Sequence, residues 1–375
     1  MPGIEERAER WASTMTGHHI GSVALAHADS WAGSGSRLLV PRSAREEREA
    51  ASLATLATQA SGAGHRAVEE EADPWRTCFE RDRDRILHAT SFRRLAGKTQ
   101  VFVFPDDHQR TRLTHALEVA QIASSVARAL GLNVALAEAI ALAHDCGHGP
   151  GGHASEDALS PYVPGGFDHA PWGADVTLVP LNLCLETLDG VRNHSWSRPA
   201  PATPEGEVVR WADRIAYVCH DFEDAVATGV VTPDMLPAPV RDRCGVLRRE
   251  QLGAFVYGMI DAARGSGRIG MAAPLAEALS AFRRFNYDNI YLRPDSKAQA
   301  TAVINLLQAL VEHFAAHPHL LPDAPAEALD PGSAEALHAA VAYVGGMTDR
   351  FACRQGVALL DWPLDRLPQG IDTAA

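Results

Sequence analysis

The chain has 375 residues, of which 46% are apolar and 22% charged, and its formal net charge is −13 at pH 7. This length suits one large domain or two ordinary ones, and the apolar fraction indicates a globular protein. The acidic balance argues against a protein that coats nucleic acid or binds an anionic membrane, although it is compatible with a local basic pocket for a nucleotide.

Cysteine usage and the N-terminus indicate the compartment. The six cysteines include no Cys-x-x-Cys pair, which is typical of reduced thiols rather than of a disulfide framework or a structural zinc site. The N-terminus is acidic and unlike a signal peptide. No segment approaches the roughly 18 apolar residues that a membrane span needs. We therefore expect a cytoplasmic protein that does not bind membranes.

Helical periodicity dominates the chain and predicts an all-α fold. Residues 1–73 are rich in Ala, Ser and Gly, so we expect a partly ordered N-terminal extension of unknown role, with one amphipathic helix over 43–59. The main domain is expected over 74–320, and a C-terminal helical segment with a short tail over 321–375. The 3.6-residue period predicts further helices over 80–96, 111–130, 134–145, 205–228, 248–264, 273–288, 295–317 and 333–355. Loops are expected over 161–180, and an extended segment over 100–104.

The helix predicted over 134–145 is apolar on every side except at Glu138, and it ends in His144 and Asp145. A helix that is apolar all round is buried. An ionised carboxylate at its buried end is costly unless it is paired or bound to a metal. The pattern therefore predicts two ligands that lie in the protein interior.

Two other predicted helices also contain ligand-type side chains. His115 lies on the apolar face of the helix over 111–130, one turn after Arg112. A histidine in such a place is more often a hydrogen-bonded core residue, and a stripe of carboxylates is more often a solvated helix face. The helix over 205–228 has such a polar stripe, formed by Asp213, Tyr217, Asp221 and Asp224. The ordinary interpretations would have to hold independently on three helices.

Three segments follow one another with a specific order and spacing: Arg112-Leu-Thr-His115, His144-Asp-Cys-Gly-His148-Gly-Pro-Gly-Gly-His153-Ala-Ser-Glu156 and Ala212-Asp-Arg-Ile-Ala-Tyr217. They resemble the HD-domain phosphohydrolases, and within that superfamily the deoxyguanosine triphosphate triphosphohydrolases and their dNTPase relatives. The resemblance covers about residues 78–320. It implies an HD-domain helical bundle with additional C-terminal helices.

The resemblance also implies an activity and a metal. It implies hydrolysis of dGTP or other dNTPs to the deoxynucleoside and inorganic triphosphate, through attack of a metal-bound hydroxide on the α-phosphate. By position, the implied metal ligands are His115, His144, Asp145 and Asp213. This mixed set of nitrogen and oxygen ligands suits one divalent ion, such as Mn²⁺, Fe²⁺, Co²⁺, Ni²⁺, Zn²⁺ or Mg²⁺, rather than Ca²⁺.

Further roles are implied at the matching positions. The resemblance pairs His153 with Glu156 for acid–base work, sets His148 against the α-phosphate and brings His169 near the catalytic group; for His148 and His169 the alternative is an ordinary loop residue. For the substrate, the implied residues are Arg112 and Arg214 at the phosphates, Tyr217 and Asp221 at the deoxyribose, and Gln100 as a further candidate for the sugar. The cluster Arg81, Arg83 and Arg85 is either a solvated helix face or a region for subunit and effector contacts.

Departures from the family pattern leave the substrate open. Gly151 stands where relatives have a bulky Phe, Ser155 where they have Gly and Ala170 where they have Asn. The segments 169–181 and 194–205 are shorter than usual. The alternatives are therefore an HD phosphohydrolase acting on a nucleoside monophosphate or a modified nucleotide, or a non-enzymatic nucleotide sensor. The resemblance further implies a homo-oligomer, either a dimer or a hexamer, and a nucleotide effector.

Overall fold

The computed structural model describes residues 3–14, 17–27, 29, 39–105, 108–322 and 329–370. It divides into two compact units, one within 1–40 and one within 41–375. In the first unit, helix α1 (Ile4–Thr14) precedes an antiparallel hairpin of β1 (His18–Ile20) and β2 (Val23–Leu25). The predicted domain boundaries near 73 and 320 stay predictions.

The second unit is helical, and short 3₁₀ and π-helical turns join several of its helices. Its architecture confirms the predicted all-α class. No described helix combines the length and apolar character needed to cross a membrane. In chain order the helices are α2 (Arg42–Ser52), α3 (Cys78–His88), α4 (Thr90–Arg94), α5 (Arg112–Ala129), α6 (Val134–Ala143), α7 (Ala154–Leu159), α8 (His169–Trp172), α9 (Leu185–Arg192), α10 (Pro204–Ala227), α11 (Ala238–Cys244), α12 (Arg248–Ser266), α13 (Ala273–Asn286), α14 (Pro294–Ala316), α15 (Ala334–Gly345) and α16 (Asp349–Leu360).

Helix α6 lies at the centre of the main core, packed against α3, α5, α9 and α10. Its alanines allow close approach, and its larger side chains Leu136 and Ile140 are fully buried. The Asn133 side chain caps the helix by accepting a hydrogen bond from the Leu136 amide at 3.2 Å. Glu138, its one charged residue, lies 3.4 Å from the Arg83 guanidinium. Burial of α6 therefore brings its C-terminal end into the interior, as the sequence predicted.

A second hydrophobic cluster lies beside the first. It is formed by buried side chains of α14, α15 and α16, among them Leu310, Phe314 and Val341, which pack against α7. This cluster supports α7 and the glycine-rich turn that precedes it.

Six predicted helices match α5, α6, α10, α12, α13 and α14 within two residues at each end. The helix predicted over 333–355 is wrong in one respect, because the chain breaks between Gly345 and Asp349 to form α15 and α16. The helix predicted over 43–59 ends at Ser52.

Other expectations were wrong as well. The helix predicted over 80–96 ends at His88, where Ala89 adopts an extended conformation with φ −71° and ψ 144° before α4 begins. The segment 100–104 forms no strand, and only an isolated bridge links Thr99 to Thr111. The loops expected over 161–180 contain α8 and a π-helical turn, Gly173–Thr177.

Candidate metal centre and substrate cavity

The end of α6 presents an imidazole whose free nitrogen faces two carboxylates. His144 Nδ1 lies 2.6 Å from the carbonyl oxygen of Ala141. A carbonyl can only accept, so Nδ1 holds the proton and Nε2 holds a lone pair. That Nε2 is buried and has no hydrogen-bond partner in the part of the chain that the structure describes. It lies 3.4 Å from Asp145 Oδ1 and 3.7 Å from Asp213 Oδ1.

Helices α5 and α10 contribute the other two predicted ligands. His115 of α5 is buried, and its Nε2 lies 3.1 Å from Asp213 Oδ1 of α10. Ligand atoms of His115, His144 and Asp145 lie within 4.8 Å of one another. The structure therefore brings all four predicted ligands together from three helices.

Both carboxylates of this cluster are held in their charged form. Burial alone would raise the pKa of Asp213, but the hydrogen bond from His115 outweighs it and lowers the pKa to about 2. Burial would likewise raise the pKa of Asp145, which Arg112 holds well below its usual value. The two carboxylates therefore lie beside the His144 Nε2, which has a lone pair and no hydrogen-bond partner among the described residues, while the proton of His115 lies between its ring and Asp213. Two imidazoles and two carboxylates fit a divalent transition metal.

Arg112 serves the cluster as well as the cavity. Its Nη1 donates to Asp145 Oδ2 at 2.7 Å, and both side chains are at least 95% buried. Nε and Nη2 of the same guanidinium are buried without a hydrogen-bond partner among the described residues. Arg112 therefore orients one predicted metal ligand and keeps further donors for an anion.

The predicted pairing of Glu156 with His153 differs from the structure. Glu156 Oε1 instead accepts from His169, from Nδ1 at 2.5 Å and from the backbone amide at 3.2 Å. The reason is the position of α8, whose first residue is His169, against the first turn of α7. His153 precedes α7 and opens onto the cavity.

A histidine that the sequence interpretation missed completes this group. His194 Nδ1 donates to the Val191 carbonyl at 2.7 Å, so its Nε2 accepts from His169 Nε2 at 3.1 Å. His169 donates through both nitrogens and is therefore an imidazolium. Burial opposes its charge, but Glu156 outweighs burial and raises the pKa of His169. His194 follows a short helix, α9, in a loop without periodicity, so no pattern indicated it.

These side chains line one cavity of about 1010 Å³. A cavity of that size is at the upper end of the range typical of small-molecule sites. Every predicted site residue except the fully buried His144 contributes to its wall. Those residues are Gln100, Arg112, His115, Asp145, His148, His153, Glu156, His169, Asp213, Arg214, Tyr217 and Asp221.

The cavity wall next to Asp213 is cationic and aromatic. The Arg214 guanidinium carbon lies 3.5 Å from the ring centroid of Trp196. Arg214 makes no ion pair with any described carboxylate, and burial lowers its pKa. Trp196 lies in the shortened connection before α10 and was not predicted from the sequence. Arg214 is thus held by stacking alone, with its charge available to an anion.

Opposite this pair, α13 and the following π-helical turn supply partners for the predicted sugar residues. The Arg283 Nε donates to the Tyr217 hydroxyl at 2.8 Å. The Tyr291 hydroxyl donates to Asp221, and burial raises the pKa of Asp221 to about 7. Neither Arg283 nor Tyr291 was assigned a role in the site from the sequence.

Two departures from the family pattern have structural consequences in the turn before α7. Ser155 Oγ donates to the Gly152 carbonyl at 2.6 Å and accepts from the Gly149 amide at 3.1 Å. Gly151 has φ +74°, and the space where its side chain would lie is filled by Val303 of α14. The turn is therefore tightly packed where relatives have Phe.

The arginine cluster of α3 is paired within the chain. Arg81 and Arg85 contact Glu70, and Arg83 contacts Asp84 and Glu138. Its charges are balanced by these neighbours, which favours a structural role over an effector site.

Known families and proteins match this chain over much of its length. Residues 112–218 match the HD domain, and residues 269–356 match the phosphohydrolase-associated domain. A deoxyguanosinetriphosphate triphosphohydrolase-like protein from Caldanaerobacter subterraneus subsp. tengcongensis is 38% identical, over 83% of this chain and 93% of that protein. A protein of the same description, numbered 1, from Deinococcus radiodurans is 36% identical over 84% and 98%. A hypothetical protein from Aquifex aeolicus, known from a crystal structure, is 20% identical with a TM-score of 0.41 over 61% of this chain and 60% of that one.

Proposed function

The chain belongs to the deoxyguanosinetriphosphate triphosphohydrolase-like HD-domain phosphohydrolases, and we propose that it hydrolyses deoxynucleoside triphosphates to the deoxynucleoside and inorganic triphosphate. One observation supports this most strongly. Three of the predicted metal ligands, His115, Asp145 and Asp213, line the same cavity as two guanidinium groups and a buried tyrosine–aspartate pair. The guanidinium groups, of Arg112 and Arg214, keep nitrogens without a hydrogen-bond partner among the described residues, and the pair is Tyr291 with Asp221. A triphosphate ester of a deoxyribonucleoside has the matching anionic and sugar parts.

We propose His115, His144, Asp145 and Asp213 as the ligands of one divalent metal. Such an ion polarises a phosphoryl oxygen and lowers the pKa of a bound water. Asp213 raises the pKa of His115 against the effect of burial, so metal binding would release the proton of His115.

The phosphate chain is proposed to lie between Arg112 and Arg214. Arg112 has two unpartnered donor nitrogens, and Arg214 has an unpaired charge on the same cavity. Guanidinium groups stay protonated and donate in a planar fork that suits phosphate oxygens. His148 lies next to this position, 3.3 Å from Asp145, and is proposed to face the α-phosphate.

The leaving 5′-oxygen needs a proton. Glu156 keeps His169 doubly protonated. Burial would raise the pKa of Glu156, but the hydrogen bond from His169 outweighs burial and lowers that pKa to about 2. His153 also lines the cavity and is exposed, whereas His148, His169 and His194 are buried, and its ring centroid lies 6.3 Å from that of His169. We propose that neutral His153, whose pKa desolvation by the surrounding protein lowers to about 4, donates its N–H proton to the leaving oxygen and takes a proton in return from the His169 imidazolium held by Glu156.

The deoxyribose is proposed to lie on Tyr217 and Asp221. The Tyr217 ring would pack on C2′ and exclude a 2′-hydroxyl, while the free oxygen of Asp221 would accept from the 3′-hydroxyl. Asp221 Oδ1 and Gln100 Oε1 are both buried without partners among the described residues. A hydroxyl donor from the sugar would satisfy such acceptors.

The test is a nucleotide panel with product analysis. Purified protein is incubated with each dNTP, each NTP and each dNMP in the presence of Mn²⁺, Co²⁺ or Mg²⁺, and ³¹P NMR identifies the products. We expect deoxynucleoside plus tripolyphosphate from at least one dNTP, and no product with His144→Ala. Pyrophosphate or orthophosphate as the sole phosphorus product would refute the proposed bond.

The size of the cavity favours one second candidate. About 1010 Å³ leaves room for a base larger than guanine, as the shortened segments suggested. Turnover of a monophosphate or a modified nucleotide, without turnover of any dNTP, would select this alternative. The predicted homo-oligomer and nucleotide effector stay predictions.

A further inference from the structure

The turn over 147–152 cannot hold its own shape. Four of its six residues are glycine, and Gly151 and Gly152 adopt φ values of +74° and +65°. Glycine has the largest conformational freedom of any residue, so a glycine-rich turn is ordered only by contacts from outside. This turn includes His148 and leads directly into His153. Its conformation therefore decides where both imidazoles lie.

Lys98 contacts the turn from one side. Its side chain is buried, and Nζ donates to the carbonyl of His148 and, at 3.1 Å, to the carbonyl of Gly345 at the end of α15. No described carboxylate lies within ion-pair distance of Lys98. Burial lowers the pKa of Lys98 to about 8. Burying an amine without a charged partner is costly. This cost favours a structural role for the two hydrogen bonds that Lys98 donates.

Asp349 contacts the turn from the other side. It is the first residue of α16 and is 6% exposed. Its Oδ1 accepts from the Gly151 amide at 2.8 Å, and its Oδ2 accepts from the Thr99 amide at 2.9 Å and hydroxyl at 2.6 Å. Both carboxylate oxygens are thus used. Neighbouring residues 98 and 99 therefore join the turn to two C-terminal helices.

We infer that Lys98 and Asp349 are positioning residues, forming a clasp that holds the turn over 147–152 in the conformation that presents His148 and His153. The proposed metal ligands lie on α5, directly after α6 and on α10, and no hydrogen bond or ion pair of the described residues joins the side chain of Lys98 or Asp349 to any of them. Breaking the clasp should therefore lower turnover while it leaves metal affinity intact. The kinetic part of this inference rests on the proposed function, whereas the structural part does not.

The experiment compares Asp349→Asn and Lys98→Met with matched controls. Asp261→Asn changes an exposed aspartate of α12, and Lys297→Met changes the only other lysine of the chain. Hydrogen exchange of peptides over 147–155, Mn²⁺ affinity by electron paramagnetic resonance, and steady-state kinetics are measured on full-length protein. For the two clasp variants we expect exchange at least tenfold faster, kcat at least tenfold lower, and KM and Mn²⁺ affinity within threefold of wild type. The controls should match wild type.

Two results would overturn the inference. One is hydrogen exchange over 147–155 at the wild-type rate in both clasp variants. The other is a loss of kcat that follows loss of Mn²⁺ binding or faster exchange throughout the chain. If both variants fail to fold, Thr99→Val is used instead, because it removes only the hydroxyl that donates to Asp349. It should speed hydrogen exchange over 147–155 two- to fivefold, and unchanged exchange over those residues refutes the clasp. If wild type hydrolyses no dNTP, the proposed function fails, and the exchange comparison still decides the clasp.

Discussion

Substitution of Gly151 by alanine tests whether the turn before α7 is as closely packed as its contacts indicate. An added Cβ would lie 2.5 Å from Cγ1 and 3.0 Å from Cγ2 of Val303. Val303 is 4% exposed and belongs to the cluster around α14, so it has little room to move. The φ of +74° also places an L-residue in the left-handed region.

The two effects can be sized separately. Left-handed backbone costs an L-residue about 1–2 kcal/mol, and overpacking a core costs about 1–3 kcal/mol. Gly151→Ala should therefore lower the free energy of unfolding by about 2–5 kcal/mol, a large part of a typical total of about 5–15 kcal/mol. Val303→Ala creates space for the new methyl group, so only the backbone cost should persist in the double variant.

Urea unfolding of wild type, both single variants and the double variant gives the coupling energy. We expect about 1–3 kcal/mol of favourable coupling between the two substitutions. Because the family's Phe would need still more space than alanine, Gly151→Phe should fold only with Val303 truncated. A destabilisation below about 0.5 kcal/mol for Gly151→Ala, which is typical of a surface change, or additive single effects, would refute this packing argument.

Three further outcomes are expected. His144→Ala should weaken Mn²⁺ binding at least about 100-fold in a titration followed by electron paramagnetic resonance, since loss of a residue that only hydrogen-bonds to a metal ligand already lowers metal affinity about 10–100-fold. Unchanged affinity would exclude His144 as a ligand. Trp196→Ala should raise KM for the nucleotide about 2–30-fold with little change in kcat, because the stacking that holds Arg214 is worth about 0.5–2 kcal/mol. Trp196→Phe should raise KM by a smaller factor, and a fall in kcat at unchanged KM would contradict this role of Trp196. Burial raises the pKa of Asp221 from 3.8 to about 7, so the folded state retains a proton that the unfolded chain releases, and stability falls as pH rises through this window. Asp221→Asn should remove that fall, giving a higher melting temperature than wild type at pH 8 and little difference at pH 4 in metal-free buffer.

Periodicity and motif spacing predicted the helical class and the long helices, because amphipathic patterns persist over several turns. The resemblance to the HD-domain phosphohydrolases implied His115, His144, Asp145 and Asp213 as metal ligands, and burial of α6 brings two of them into the interior beside the others. A local pattern could not predict which partner Glu156 would choose, since that depends on how α8 packs against α7.

The remaining misses have the same physical origin. Trp196 and His194 lie in a short loop without periodicity, and Tyr291 lies in a π-helical turn after α13. Asp349 reaches the turn over 147–152 from about 200 residues away, a distance that loop closure bridges at small extra entropic cost. Contacts of this kind are set by tertiary packing and leave no signal in neighbouring residues. The division of 333–355 at two glycines was visible in the sequence but was not recognised as a helix end.

His144 and His194 both donate Nδ1 to the carbonyl three residues earlier, at the end of α6 and of α9 respectively. The last carbonyls of a helix have no amide partner within it, so each imidazole satisfies an acceptor that every helix terminus offers. Main-chain oxygens are common to all twenty amino acids. An uncharged residue that fits in place of Ala141 or Val191 would still offer the same carbonyl oxygen. The protonation pattern of both imidazoles therefore does not depend on which side chain evolution selects at these two positions.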